Sequence, residues 1–181
     1  MSALFSSPSR RHFLKTAFAT ASVVAWPKAG AQYLTGEAYE LSPWAGPLAA
    51  FSLVDTTGRT WRTADLTGRA VLLNFWASWC EPCRAEMPTL QQMADLYGPE
   101  QLLVLAINFK EPPARALQFA KSTGVTLPVL LDTDGRAAQR WAVKVFPTTL
   151  AIDRHGQPRL RVRGEVDWTG KAAEKLIAPL L

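Results

Sequence analysis

Two cysteines, the only two in the chain, lie three positions apart between an apolar segment and a helix-forming segment. Cys80 and Cys83 occur in W-C-E-P-C, directly after the apolar run at 70–76 and before Arg84-Ala85-Glu86-Met87. The N-terminus of a helix carries unpaired amide N–H groups and the positive end of the helix dipole, which together stabilise a thiolate. A Cys-x-x-Cys pair at a strand-to-helix junction therefore predicts a centre for dithiol–disulfide exchange.

A zinc site and a pair of structural thiols are the competing interpretations. Zinc needs about four ligands, and the only histidines that could join the cysteines are His12 and His155. The pattern favours the redox centre, so we expect neither a bound metal nor a cofactor.

The two sulfurs have different predicted roles because they occupy different positions in the helix. Cys80 lies at the helix start, where exposure and the dipole both favour a thiolate, so we expect it to be the nucleophile. Cys83, one turn further, is the expected resolving thiol, which attacks the mixed disulfide and releases reduced product. Pro82 suits the first helical turn, because its missing N–H would be unpaired there anyway.

Side chains beside the pair have candidate roles that the pattern leaves open. Trp76 and Trp79 either shield the sulfurs from water or belong to the core. Glu86, at i+3 from Cys83, shares the helix face of that cysteine. It is either a proton-handling group or an exposed glutamate that is favourable near a helix start. We expect Trp79 and Pro82 to contact substrate.

Residues 1–31 are predicted to be an export signal. The segment from Ser9 to Lys15, with its Arg10-Arg11 pair, is typical of a twin-arginine signal. An apolar stretch at 16–26 follows, and then an A-x-A sequence before Gln32. Around eleven apolar or small residues are too few to span a bilayer, which needs about twenty. We expect cleavage before Gln32; a retained membrane anchor and a fortuitous basic N-terminus are the alternatives.

The signal accounts for most of the positive charge. Of the net charge of +5, four positive charges lie in residues 1–31, which contain no acidic residue, and +1 remains for the rest. This balance gives no reason to expect nucleic-acid binding. Arg159, Arg161 and Arg163 alternate along a predicted strand, where we expect a solvated face in preference to a partner-binding patch. Export to the oxidising periplasm fits a cysteine pair that must cycle between two states.

The 150 residues from Gln32 suit one globular domain. Residues 32–46, interrupted by glycine and proline, predict an N-terminal arm, and 47–181 the domain itself. The element order is β-β-β-α-β-α-(β/α)-β-β-α, an α/β sandwich with a mixed sheet. The predicted strands are 50–55, 60–62, 70–76, 102–107, 148–152 and 160–162. The predicted helices are 80–97, which should kink at Pro88, 112–123 and 134–141. A last helix is predicted to be capped by Asp167 and to end near residue 178.

Residues 71–88, V-L-L-N-F-W-A-S-W-C-E-P-C-R-A-E-M-P, resemble the active-site strand and helix of the thioredoxin superfamily. Within that superfamily they are most similar to the extracytoplasmic TlpA/ResA-like thiol–disulfide oxidoreductases. Further matching segments follow in the expected order at 124–132, 145–149 and 151–156. The resemblance implies a thioredoxin-like sandwich in which helices flank a mixed β-sheet. The alternation at 50–55, the turn at Thr57-Gly58 and the strand at 60–62 predict an N-terminal β-hairpin extension.

The resemblance also implies roles for residues outside the cysteine motif. The loop Phe146-Pro147 resembles the one that faces the cysteine pair, whose proline is cis in this superfamily. Such a bend exposes the Phe146 backbone, so that an extended substrate can add there as a short strand. Asn74 stands where thioredoxins have an acidic residue, and a neutral amide cannot carry protons. Glu86 matches a glutamate of the ResA-like branch, which favours its proton-handling role.

The leading functional prediction is a periplasmic protein-disulfide reductase. The resemblance suggests as substrates the haem-site thiols of apocytochrome c or the cysteines of copper-site assembly factors, and as electron donor a membrane thiol transporter. The alternatives are a disulfide oxidase, a peroxidase, and a copper-handling or redox chaperone that uses Cys80 and Cys83 as ligands.

Overall fold

The structure is a computed structural model that describes residues 39–44 and 46–181. The predicted signal, its cleavage site and the first part of the predicted arm lie outside the described residues. Within the described ranges, no helix is both long enough and apolar enough to cross a membrane.

Strands and helices alternate through most of the described chain. The chain also contains two short 3-10 helices, Thr63–Leu66 and Ala178–Leu180. The strands and α-helices are β1 (Tyr39–Pro43), β2 (Ser52–Val54), β3 (Thr60–Arg62), β4 (Ala70–Trp76), α1 (Glu81–Tyr97), β5 (Leu102–Phe109), α2 (Pro113–Thr123), β6 (Val129–Asp132), α3 (Arg136–Arg140), β7 (Thr148–Ile152), β8 (Pro158–Gly164) and α4 (Lys171–Ile177).

Six strands form a mixed sheet in the order β1-β8-β7-β4-β5-β6. The pairs β4–β5 and β5–β6 are parallel, whereas β4–β7, β7–β8 and β8–β1 are antiparallel. The hairpin β2–β3 forms a separate two-stranded sheet. This arrangement is the thioredoxin-like sandwich with a β-hairpin extension that the sequence predicted.

The central strand β4 carries the cysteine motif at its end and is buried along its whole length. Its alternate residues enter two different cores because successive side chains point to opposite faces of a sheet. Leu72 and Trp76 pack with Met87 and Leu90 of α1, whereas the second core, on the other face, includes Val71, Leu73 and Phe75. Burial on both faces explains the continuous apolar run.

Helix α1 begins where the cysteine motif predicts. Cys80 is its N-cap residue, Pro82 lies in the first turn, and the helix continues through Pro88 as far as Tyr97. The N–H of Gly98, at the C-cap, donates to the carbonyl of Ala94 and closes the last turn.

Two predictions at the chain ends were wrong. The segment expected to be only an arm contributes strand β1, which pairs with β8 because its backbone lies along that edge in register, Leu41 opposite Val162. The last helix begins at Lys171 with Gly170 as its N-cap. Asp167 does not cap it, because its carboxylate accepts hydrogen bonds from the amide and hydroxyl of Thr169.

The arginine stripe on β8 is not a freely solvated face, contrary to our expectation. Each of its arginines has a partner within the chain, since the strand lies between β1 and β7 and its long side chains reach neighbouring elements. The contacts are Arg159 with Asp153, Arg161 with the carbonyl of Trp141 and the ring of Trp44, and Arg163 with Glu40.

Candidate active site

Cys80 and Cys83 are joined in a disulfide at the start of α1, with their Cα atoms 5.3 Å apart. Cys80 is 6% exposed and Cys83 is 1% exposed. Both cysteines are therefore buried in the oxidised protein, Cys80 slightly less than Cys83, and Cys80 is far less exposed than we expected for a nucleophile. The reason is its N-cap position, which turns the side chain back over the first helical turn.

The backbone of the first turn contacts the sulfur directly. The amide N–H of Cys83 donates to Sγ of Cys80 at 3.3 Å, and the amide of Cys80 donates to the carbonyl of Ala77 at 3.1 Å. An N–H donor aimed at Sγ, together with the helix dipole, favours negative charge on this sulfur when the disulfide is reduced.

Glu86 is buried inside the domain, only 1% exposed. Its Oε1 accepts a 2.6 Å hydrogen bond from Nε1 of Trp168, and its Oε2 accepts a 3.1 Å bond from Nδ2 of Asn74. The interpretation of Glu86 as an exposed helix-start glutamate was therefore wrong. Asn74 also donates to Oγ1 of Thr149 at 2.9 Å, which connects the carboxyl group to β7.

The pKa of Glu86 is raised from 4.5 to about 8. Burial is the main cause, because it disfavours the charged form. The hydrogen bonds from Trp168 and Asn74 act in the opposite direction, and the charge of Glu165 raises the pKa further. A carboxyl group that titrates near neutral pH can both donate and accept protons under physiological conditions.

The loop before β7 lies beside the cysteine motif. The bond between Phe146 and Pro147 is cis, as the resemblance implied. The ring of Phe146 meets the ring of Trp79 edge to face at 6.0 Å and also packs against Phe109 at 4.7 Å. None of the backbone hydrogen bonds within 39–44 and 46–181 uses the amide or carbonyl of Phe146. The backbone of Phe146 therefore has no backbone hydrogen-bond partner among the described residues.

The two tryptophans of the motif have different environments. Trp79 is 61% exposed, whereas Trp76 is fully buried and packs at a tilt against Phe119, with 4.6 Å between ring centroids. Trp76 is therefore a core residue, and Trp79 lies at the surface next to Cys80. Pro82 is also exposed. Whether Trp79, Pro82 and Phe146 bind substrate stays a prediction.

Sequence reasoning missed two residues of the site. Trp168 lies 82 positions after Glu86, and no local pattern distinguishes it from other core tryptophans. Thr149 is part of the matching segment 145–149, but nothing in that segment indicates a contact with Asn74. His155, which the sequence offered as a possible zinc ligand, lies exposed in the turn between β7 and β8.

No group of three or more His, Cys, Asp or Glu side chains in the described part of the chain is arranged to hold a metal ion. Cys80 and Cys83 are closed on each other, and the buried carboxyl of Glu86 is bonded to Asn74 and Trp168. The arrangement is one of a disulfide at the start of α1 and, on the same helix, a buried carboxyl group with a raised pKa.

Comparison with known proteins agrees with this chemistry. The model of the AhpC/TSA family matches residues 45–160. The thiol-disulfide oxidoreductase ResA of Geobacillus thermodenitrificans (strain NG80-2) is 35% identical over 114 residues, which cover 63% of this chain and 66% of that protein. ResA of Bacillus subtilis (strain 168) is 37% identical over 107 residues, which cover 59% and 60%. The chain thus spans less than two thirds of the length of these relatives.

Solved structures are matched over more of their length. A crystal structure from Chlorobium tepidum, described as that of a thiol:disulfide interchange protein DsbE, is 32% identical with a TM-score of 0.67. The match covers 73% of this chain and 93% of that one. The exposed lipoprotein thioredoxin Etrx1 of Streptococcus pneumoniae strain TIGR4 is 29% identical with a TM-score of 0.65, and the coverage is 73% and 100%.

Proposed function

The chain belongs to the AhpC/TSA family, and we propose that it is a thiol–disulfide oxidoreductase that reduces disulfides in exported proteins. The observation that carries this proposal is the disulfide of Cys80 and Cys83 at the start of α1, with the buried carboxyl of Glu86 on the same helix. The relatives named above as thiol-disulfide oxidoreductases and interchange proteins support the same chemistry.

The reaction begins from the dithiol form. The thiolate of Cys80 attacks one sulfur of the substrate disulfide, and the other substrate sulfur leaves as a thiolate that takes up a proton. The thiol of Cys83 then loses its proton and attacks Sγ of Cys80. This step releases the second substrate sulfur and closes the Cys80–Cys83 disulfide, so that two electrons have passed to the substrate.

Glu86 handles the proton of the resolving step. It follows Cys83 by one helical turn, and both side chains are buried. A thiol normally titrates near 8.5, and the pKa of Glu86 is about 8. Because these two values are close, a proton can pass between the groups at little cost, and the charged form of either one disfavours the charged form of the other.

The substrate is held at the surface around Cys80. Trp79 and Phe146 present aromatic rings there, and the free backbone groups of Phe146, which precedes Pro147, can pair with an extended substrate segment. Pro82, exposed in the first helical turn, completes the contact surface.

The protein acts in the periplasm, which it reaches by the twin-arginine route directed by residues 1–31. The similarity to Etrx1, an exposed lipoprotein thioredoxin, supports a location outside the cytoplasm. The substrates are protein disulfides of the kind found in apocytochrome c or in copper-site assembly factors, and a membrane thiol transporter supplies the electrons.

The reduction potential of the Cys80–Cys83 pair tests the direction of exchange. We expect equilibration with dithiothreitol buffers to give a value near or below about −270 mV, the range of thioredoxin. Wild type should also reduce insulin disulfides, whereas Cys80→Ala should not. A potential near about −120 mV, that of a strong periplasmic oxidant, would assign disulfide oxidation instead. Binding of Cu(I) without any disulfide exchange would assign copper handling.

A further inference from the structure

A second buried carboxylate lies beside the cysteine motif, on the side of β5. Glu111, only 5% exposed, follows the end of that strand. Its Oε2 accepts from the amide N–H of Ser78 at 2.7 Å, and its Oε1 accepts from Oγ of Ser78 at 2.6 Å. Oε2 also accepts a 2.7 Å bond from Nδ2 of the buried Asn108. Three donors therefore satisfy a carboxylate that would otherwise be costly to bury.

The backbone before Glu111 has an unusual conformation. Lys110 has a φ of 52°, in the left-handed region that residues other than glycine adopt rarely. Its amide donates to the carbonyl of Asp132 at 3.0 Å, which holds the turn against β6. The chain thus bends sharply at the end of β5, immediately before the residue that reaches Ser78.

We propose that Glu111 is a positioning residue for thiol–disulfide exchange, which holds the turn carrying Trp79 and Cys80 by binding Ser78 through both its backbone and its side chain. This inference rests on the proposed function of the cysteine pair. In the oxidised protein the disulfide itself ties Cys80 to α1. In the dithiol form that covalent bond is absent, so the hydrogen bonds of this turn have to keep Cys80 in place for attack.

The charge of Glu111 and its geometry can be separated by substitution. In Glu111→Gln, the amide oxygen can occupy the position of Oε2 and accept from Ser78 and Asn108. The amide NH₂ then lies at Oε1 and donates to Oγ of Ser78, since a hydroxyl group also accepts hydrogen bonds. All three bonds survive without the charge, whereas Glu111→Ala removes all of them.

The experiment compares the reduced full-length proteins in two assays, the rate at which iodoacetamide alkylates Cys80 and the rate of insulin disulfide reduction. Glu111→Ala should lower both rates by roughly tenfold or more, because small misplacements of reacting atoms have effects of this size. Glu111→Gln should stay within about twofold of wild type in both assays, which is the rescue expected of a positioning role.

Asp153→Asn is the matched control. Asp153 is also buried, 4% exposed, and accepts hydrogen bonds from the amides of His155 and Gln157 in the β7–β8 turn, away from the cysteines. We expect this variant to unfold at lower urea concentration while both rates stay at the wild-type value.

Two results would overturn the inference: wild-type rates in a folded Glu111→Ala protein, or an equal loss of rate in Glu111→Gln and Glu111→Ala. If Glu111→Ala does not fold, Ser78→Ala decides, because it removes only the Oγ bond. A measurable loss of alkylation rate then supports the role of Glu111, and an unchanged rate contradicts it. Alkylation does not require a substrate disulfide. A wild-type protein that reacts with iodoacetamide but reduces no insulin would therefore refute the proposed function alone.

Discussion

Nε1 of Trp168 donates a 2.6 Å hydrogen bond to Oε1 of Glu86, although the two residues are 82 positions apart in the sequence. Both side chains are buried, and Nδ2 of Asn74 in β4 donates to the other carboxyl oxygen of Glu86, Oε2. A single carboxyl group is therefore surrounded by a helix, a central strand and the segment that precedes α4. These contacts make the proton affinity of Glu86 a property of the folded state.

We expect the stability of the oxidised protein to fall as pH rises from about 4.5 to about 8. Glu86 has a folded-state pKa of about 8 against an ordinary value of 4.5. Within this window the unfolded chain releases the proton first, which favours unfolding, and below it the carboxyl is protonated in both states. The loss should reach about 1 kcal/mol or more per pH unit. Urea denaturation between pH 4 and pH 9 measures it.

Glu86→Gln is the variant that isolates this effect, because glutamine has no proton to release. Its free energy of unfolding should fall less over the same pH range, so that the difference from wild type grows with pH and levels off above about pH 8. Parallel curves for the two proteins would contradict the raised pKa of Glu86. The same variant should alter the pH–rate profile of disulfide exchange if Glu86 handles protons.

Trp168→Phe should raise the pKa of Glu86 above its wild-type value, because the lost hydrogen bond is one that lowers it. The carboxyl carbon shift in NMR titration of the oxidised protein measures the change directly. Trp76→Phe is the control, since the indole N–H of Trp76 is buried without a hydrogen-bond partner among the described residues. Titration of Glu86 at the same pH in all three proteins would show that the Trp168 bond has no effect on its charge.

Cys80 should react with iodoacetamide before Cys83 in the reduced protein, since it is the less buried residue of the two and lies at the N-cap. Cys83→Ala should accumulate mixed disulfides with substrate proteins, because the resolving step is lost. Mass spectrometry of the trapped complexes identifies the bonded sulfur. Equal trapping by Cys80→Ala would reverse the two roles.

Trp79→Ala should slow the reduction of protein disulfides by roughly fivefold or more, since truncation of an aromatic anchor at an interface costs more than about 1 kcal/mol. Because Trp79 is 61% exposed, folding stability should change little. Reduction of a small disulfide such as oxidised glutathione should slow much less. Leu96→Ala, at the other end of α1 and 74% exposed, is the control and should leave both rates unchanged.

Export should depend on the Arg10-Arg11 pair, and the exported protein should begin near Gln32. Replacing both arginines with lysine should leave the precursor in the cytoplasm, because the twin-arginine pathway recognises that pair. Immunoblotting of cell fractions measures location, and intact mass measures the cut. Export of the double-lysine variant by the general secretion route would contradict the assignment.

Several elements were predicted closely because their signals are local. The strand before the motif was predicted to its last residue, Trp76, from a continuous apolar run. The start of α1 was predicted from Cys80 and Pro82. Cys80 lies at the N-cap, and Pro82 lies in the first turn, where its missing N–H is not needed. The β2–β3 hairpin was predicted from alternation around the turn at Gly58, whose φ of 93° suits glycine.

Other elements depended on contacts between distant segments. Strand β1 carries no clear strand pattern, and it forms because β8 offers an open edge for pairing. Asp167 has the residue type of a helix cap, but a local turn with Thr169 competes for its side chain and α4 begins later. The alternating arginines of β8 predicted a solvated face. In the structure their side chains contact residues of β1 and residues at the ends of α3 and β7.

By itself, the sequence determined the chemistry and the local frame of this protein: two cysteines at a strand-to-helix junction, and a glutamate one turn further along the same helix. The forces behind these features act within a turn of helix or along one strand. Only the tertiary structure decided the environment of Glu86, and the contacts of Glu111 with Ser78. Burial and long-range hydrogen bonds exist only once the elements pack together, and they convert an ordinary glutamate into a group that titrates near neutral pH.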